Sequence, residues 1–357
     1  MNRFARTLWA VLALALVAAA LAGCSGGGGG TASAVVLTGA GATFPYPIYS
    51  KWFDVYHEST GVQINYQSIG SGGGIQQLKA GTVDFGASDA ALSDDKLKEM
   101  PHPVLHIPMV AGAVVLAYNL PELTQPLQLT PQALAGIFMG TVKTWNDPAI
   151  KAANPGVALP ATAVLAVHRS DGSGTSNIFT TYLSAVSADW KSKVGANTSV
   201  AWPAGVGAKG NEGVSGQVKQ TPGSIGYVEL AYAKQNTLAT AKLQNSSGAF
   251  VEPSLASTTA AIQASSQALA ADVRASTVNA AGPDAYPIAA LTFILVYEDQ
   301  KDTAKGKEIA NFLTWAIHQG QDEVEALQYA RLPAEVVTVD EGSIAKLTSG
   351  GKPLASR

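Results

Sequence analysis

Short apolar runs alternate with stretches in which large side chains recur every three or four residues, the signature of an α/β fold. Val35-Val36-Leu37 predicts a first strand. After Pro45, a residue suited to a helix start, Tyr46, Tyr49, Phe53 and Tyr56 fall on one helical face, an aromatic stripe that belongs to a core. The pattern then predicts a strand over 62–66 and a helix over 75–80. A middle block repeats the alternation with Val164-Leu165-Ala166-Val167, a helix from about Ser176, and Ile225-Gly226-Tyr227-Val228. Residues 254–281, rich in Ala, Ser and Thr, read as a surface helix, and Ile309, Phe312, Leu313, Ala316 and Ile317 follow helical spacing near the end. No internal repeat is apparent.

Stretches 104–120 and 288–297 are the most apolar of the chain beyond residue 34. Pro108 is expected to break the first, and ten residues cannot span a bilayer as a helix, so both read as buried strands. They are also the expected crossings between two domains, since about 325 folded residues exceed one ordinary core. The expected layout is domain I from 34–117 plus 286–357 and domain II from 118–285.

The pattern at the N-terminus is different. Arg3 and Arg6 precede an apolar run over 8–21 that closes on Leu21-Ala22-Gly23-Cys24. That is the layout of a secretory signal over 1–23, with a retained membrane anchor as the alternative. Cys24 is the only cysteine in 357 residues, which excludes an intrachain disulfide. Its position resembles a bacterial lipobox and implies cleavage before Cys24 and acylation there. Residues 24–33, dominated by Gly26 to Gly30, then form an acylated cysteine and a flexible tether. The expected product is exported and held at the membrane, in the periplasm or on the cell surface.

The formal charge of the whole chain is −3, and residues 1–23 hold two arginines and no acids, leaving 21 basic against 26 acidic side chains, a net of −5. With no Lys/Arg-rich run, this excludes a nucleic-acid binder. Any anion must be held by local hydrogen bonds against the overall field.

Three segments offer such bonds. Gly39-Ala40-Gly41-Ala42-Thr43-Phe44, Gly70-Ser71-Gly72-Gly73-Gly74 and Asp171-Gly172-Ser173-Gly174-Thr175-Ser176 each follow a predicted strand, precede a predicted helix and set a hydroxyl among glycines. Free N–H groups and the positive dipole end make such a helix start an anion site. Singly, each segment is as well read as a turn or cap; two in the first block and one in the middle block point to a site at a domain cleft. Arg169 ends the strand before the third loop, where its guanidinium can fork onto oxyanion oxygens, with Asp171 holding the fork in place. Alternatively the two form a surface ion pair. Asp89, just after the short apolar run around Phe85, is either a helix cap or an acceptor for a proton carried by the anion.

The strings Leu37-Thr38-Gly39-Ala40-Gly41-Ala42-Thr43-Phe44-Pro45, Val83-Asp84-Phe85-Gly86-Ala87-Ser88-Asp89-Ala90 and Arg169-Ser170-Asp171-Gly172-Ser173-Gly174-Thr175-Ser176 closely resemble the phosphate-binding proteins of high-affinity phosphate ABC importers. So do Trp202-Pro203 with Gly210-Asn211, and Gly226-Tyr227-Val228-Glu229 with Ala231-Tyr232-Ala233-Lys234. The resemblance runs from about Val36 to the C-terminus. It implies a two-domain periplasmic-binding-protein fold, type II-like, each domain a mixed sheet flanked by helices, with dehydrated phosphate in the cleft. It further implies ligands at Thr43, Phe44 (N–H), Ser71, Asp89, Arg169, Ser173, Gly174 (N–H) and Thr175, with Asp171 orienting Arg169. The implied protein is a monomer that hands phosphate to a membrane permease, with no cofactor and no metal. His168 stands where the family often has arginine, and Gly72 where serine is common, which puts one hydroxyl contact in doubt.

Rival readings are weaker. Gly205-Val206-Gly207-Ala208-Lys209-Gly210 satisfies the dinucleotide pattern, but Trp202-Pro203 precedes it instead of a clean strand. Gly172-Ser173-Gly174 is no nucleophile elbow, and His102 and His106 are separated by Pro103 and cannot form a helical metal pair. The alternatives are therefore a receptor for another tetrahedral oxyanion such as sulfate, or a phosphatase-like enzyme. The enzyme lacks an activated nucleophile. Asp89 discriminates against sulfate, which has no proton to give a carboxylate.

Overall fold

The computed structural model describes residues 35–354. The expected signal segment, Cys24 and the tether lie outside the described residues.

Strands β1 (Val36–Gly41), β2 (Gln63–Ser68) and β3 (Phe85–Ser88) run parallel, with β1 in the middle. The chain then enters β4 (Val104–Tyr118) and β5 (Gln128–Leu129), followed by β6 (Leu165–Arg169), β7 (Val206–Ala208) and β8 (Ser224–Glu229). Three short strands, β9 (Ala239–Thr240), β10 (Lys242–Gln244) and β11 (Phe250–Val251), precede the long β12 (Ala289–Tyr297). The main sheet has the order β2-β1-β3-β12-β4-β8-β6-β7, with β9 also on β4, and β11-β10-β5 form a second, three-stranded sheet.

The two apolar stretches are indeed strands, and β4 joins two halves of the sheet. Its first part, Val104 to Ala113, pairs antiparallel with β12; from Val114 onward it pairs with β8. Pro108 does not break it. The register slips between Thr292 and Phe293, which face Val110 and Pro108, so Met109 has no partner residue and the bulge absorbs a proline that cannot donate to the ladder.

Helix Tyr46–Thr60 has Pro45 at its N-cap and Pro47 in its first turn and stops at Gly61, whose φ is 75°. It buries Ile48, Tyr49, Trp52, Phe53 and Tyr56 on the sheet, where Phe53 meets Phe85 and Phe312. Helix Ser71–Ala80 starts earlier than the apolar spacing predicts, so the glycines form its first turn and not a loop. The reason is a close approach: a Cβ on Gly74 would run into the backbone of Ala40 and Gly41. Stretch 254–281 also departs from expectation. Helix Leu255–Ala264 buries Thr258, Ala261 and Ile262 and is started by a Ser254–Ser257 capping box.

Candidate functional site

Strands β1, β2, β3 and β6 all deliver their C-terminal ends to one place, the position where open α/β sheets bind ligands. β1 leads to Thr43 and Phe44, β2 to Ser71, β3 to Asp89, and β6 ends on Arg169 and leads to the loop at Asp171. Thr43, Ser71 and Asp89 form the first wall, and Arg169, Ser173 and Thr175 form the second. Thr43, Ser71, Asp89, Arg169, Ser173 and Thr175 are all buried, and the exposure of Asp89 is 4%.

The walls touch. Gly72 N–H donates to Gly172 O at 2.8 Å, and Gly174 N–H donates to Ser71 Oγ at 3.0 Å. Tyr232 Oη donates to Thr43 O at 2.6 Å, and Asn211 Nδ2 donates to Thr43 Oγ1 at 2.8 Å. Gly174 has to be glycine for this contact: a Cβ there would sit 2.5 Å from Ser71 Oγ and 2.6 Å from Asp89 Oδ2. Gly70, with φ 89°, serves in the same way, since a side chain would collide with the Asp171 carboxylate.

Ser173 caps helix Gly174–Val186 by accepting from Ser176 N–H at 3.0 Å. Its hydroxyl proton remains for another acceptor. Thr175 Oγ1, in the first turn, accepts from Arg169 Nη1 at 3.4 Å and from Asn211 Nδ2 at 3.1 Å. Phe44 is fully buried, and its carbonyl accepts from Tyr329 Oη at 2.6 Å.

Arg169 and Asp171 pair, and the pair is not on the surface. The guanidinium donates from Nε to Oδ1 at 2.7 Å and from Nη2 to Oδ2 at 2.5 Å, and the arginine side chain is 1% exposed. The fork expected for an oxyanion is therefore occupied by Asp171, and Nη1 is the edge left toward the cleft. Burial works against the charge on both partners. Their mutual bonds outweigh it, holding Asp171 below the usual carboxylate range and Arg169 above its ordinary value. Gly210 N–H adds a further bond to Asp171 Oδ1 at 3.0 Å.

Asp89 has the opposite balance. Burial pushes its carboxyl from 3.8 up to about 7, against the lowering effects of the Thr292 bond, the Arg169 charge and Ser71. Oδ1 accepts from Thr292 Oγ1 at 2.8 Å. Asp89 is no helix cap; Ser93 caps the next helix, Asp94–Lys98. The arrangement holds an acceptor poised near neutrality opposite a ring of donors, the chemistry of a protonated oxyanion.

Sequence reasoning missed Thr292, Asn211, Tyr232 and Glu229. Thr292 had a signal, as a hydroxyl within an otherwise apolar strand. The other three stood in family-like strings without an assigned role. The structure gives the rival patterns other roles. His168 stacks on Trp202, ring centres 4.8 Å apart, and no hydrogen bond joins it to Ser173 among the described residues. The glycine string 205–210 forms edge strand β7 and the start of helix Gly210–Gln220, and His106 Nε2 is taken by Leu92 N–H at 2.9 Å. No group of three metal-ligating side chains occurs among the described residues.

Comparison with known proteins follows the same line. A PBP superfamily domain matches residues 28–319. Phosphate-binding protein PstS of Pasteurella multocida is 48% identical over 302 residues, 84% of this chain and 87% of that protein. Its namesake in Xylella fastidiosa is 48% identical over 304 residues, covering 85% and 83%. A high affinity periplasmic phosphate-binding protein (PfluDING), solved with phosphate, superposes with a TM-score of 0.71 over 89% of this chain and 97% of its own; at 21% identity it bears on the fold alone.

Proposed function

The chain belongs to the PstS phosphate-binding proteins of the PBP superfamily, and from that premise we propose that it captures inorganic phosphate and delivers it to the membrane permease of an ABC-type phosphate importer. It is a binding protein and not an enzyme. The proposed ligand set is Thr43, the Phe44 N–H, Ser71, Asp89, Arg169, Ser173, the Gly174 N–H and Thr175, with Asp171 orienting Arg169; the Gly174 N–H has to exchange its bond to Ser71 Oγ for one to the anion.

The observation that carries this reading is the buried Asp89 carboxyl, bonded to the Thr292 hydroxyl and set across the cleft from an Arg169 already paired with Asp171. Near pH 7 phosphate keeps at least one proton, which Asp89 accepts; sulfate has none and meets only a carboxylate. A mismatch of this kind leaves a buried group unpaired and yields discrimination on the order of 10^4–10^5. Because Asp171 already neutralises Arg169, the anion's charge is dispersed mainly by hydroxyls and N–H groups. Charge-assisted bonds of about 1.5–3 kcal/mol each offset dehydration.

The proposed domains are 34–117 with 286–357, and 118–285. The partner switch of β4 at Ala113 and Val114 and the start of β12 at Ala289 supply the hinge, and closure brings Gly174 onto Ser71. The protein is proposed to be exported to the periplasm or cell surface as a monomer anchored through acylated Cys24. Calorimetric titration with phosphate and with sulfate tests the central reading. Tight phosphate uptake and no heat from sulfate is expected, and equal uptake of both would overturn it.

A further inference from the structure

Asn211 lies at the start of helix Gly210–Gln220 and is fully buried. Its amide can face only one way. Oδ1 accepts from Glu229 N–H at 2.9 Å, and a backbone N–H cannot accept, so the oxygen is on that side and Nδ2 points to the cleft. There Nδ2 donates to Thr43 Oγ1 at 2.8 Å on one wall and to Thr175 Oγ1 at 3.1 Å on the other. The Asn211 N–H also donates to Thr43 Oγ1, at 3.1 Å.

A hydroxyl has two lone pairs and one proton. Both lone pairs of Thr43 Oγ1 are taken by Asn211. Those of Thr175 Oγ1 are taken by Asn211 and Arg169 Nη1. Among the described residues neither hydroxyl donates to protein, so each proton is left for a cleft acceptor. We infer that Asn211 is a positioning residue for ligand selectivity: by filling both acceptor positions of Thr43 and, together with Arg169, those of Thr175, it makes both hydroxyls obligatory donors, and it ties the walls together while doing so. The inference rests on the phosphate reading above. It assigns the anion two fixed donors and gives Asp89 the role of acceptor on the protein side.

The sharpest variant is Asn211→Asp, which keeps the shape and turns the cleft-facing donor into an acceptor. Thr43 and Thr175 then turn their protons to the new carboxylate. Phosphate titrations of purified wild type and variant, with thermal melts to verify folding, run from pH 8 to pH 5. The variant should bind at least 100-fold more weakly than wild type at pH 8. The deficit should narrow at least tenfold by pH 5, as protonation of the introduced carboxyl restores one donor. Protonation also relieves plain repulsion between the new carboxylate and the anion, and a double-mutant cycle separates that from action through the threonines. Asn211→Ala with Thr175→Val, singly and together, gives an independent measure: if Asn211 acts through the threonines, the double loss falls at least fivefold short of the product of the single losses. This cycle decides the matter if Asn211→Asp does not fold. A folded Asn211→Asp protein within threefold of wild type, a deficit constant with pH, or multiplicative single losses would each overturn the inference. If wild type itself takes up no phosphate, the phosphate reading fails and this inference with it; if wild type binds and only the variant behaviour is wrong, this inference alone fails.

Discussion

Two carboxylates face the same cleft and are driven in opposite directions. Asp171, on the second wall, is locked to Arg169 by two bonds and held below the ordinary range. Asp89, on the first wall, has a hydroxyl as its nearest donor and is pushed up to about 7 by burial. The same functional group thus serves as a permanent anion in one place and as a proton acceptor in the other. The difference comes from which wall holds the cation. Arg169 sits two residues from Asp171 and reaches Asp89 only through space, so desolvation wins at Asp89 and loses at Asp171.

Removing the cation should break the contrast altogether. Arg169→Ala leaves Asp171 half-buried and unpaired beside the anion, at a cost on the scale of 3–5 kcal/mol for a broken buried pair. Phosphate titration should register a loss of about a thousandfold, and adding Asp171→Ala should recover part of it. Near-normal affinity in folded Arg169→Ala would take this residue out of the ligand set.

Holding the walls apart is the next largest change. Gly174→Ala puts a methyl against Ser71 and Asp89 in the closed form, while a helix's first turn accepts alanine readily. Affinity should fall roughly a hundredfold, on the scale of 3 kcal/mol for an overpacked contact. Small-angle scattering should show no compaction on adding phosphate, whereas wild type compacts. Compaction in the variant equal to wild type would argue against this closure geometry.

Asp89→Asn removes the acceptor alone. Phosphate adapts by turning its proton elsewhere, but the repulsion that excludes sulfate is gone. Competition titrations should show the phosphate-over-sulfate preference shrinking by at least about tenfold, the scale of one charged hydrogen bond. An unchanged preference would move selectivity to other residues.

The remaining contrast lies in the ligand-free stability, where the two carboxylates act with opposite signs. The raised Asp89 value means that its contribution is complete below the unfolded value of about 3.9 and is lost as pH rises toward 7. The depressed Asp171 value means that its contribution is present above the unfolded value and is lost as pH falls below it. Thermal melts should therefore show Asp89→Asn gaining on wild type from pH 4 to 7, and Asp171→Asn gaining only under acid. Asp340 is a control outside the ligand set. It is fully buried with no hydrogen-bond partner among the described residues, and burial pushes it up to about 9. Asp340→Asn should gain on wild type as pH rises toward 9, with or without phosphate. A flat difference would mean that this carboxyl finds solvent or a partner in solution.

Much of this was legible in the order of residues. Strand-to-helix units at Thr43, Ser71 and Ser173 and the buried character of β4 and β12 follow from local periodicity and turn chemistry, while the full ligand set is what the family resemblance implies. The errors were local as well: a proline absorbed by a bulge, and glycines drawn into a helix by the packing of Gly74 on β1. What only the tertiary structure decided is which lone pair and which proton each polar group has left. Thr292 meets Asp89 across 203 positions of sequence, and Asn211 meets Thr43 across 168. A hydroxyl or carboxyl in a string of letters can donate, accept or cap. Its role is settled when burial removes water and a distant neighbour takes one of its positions, and no local pattern records that neighbour.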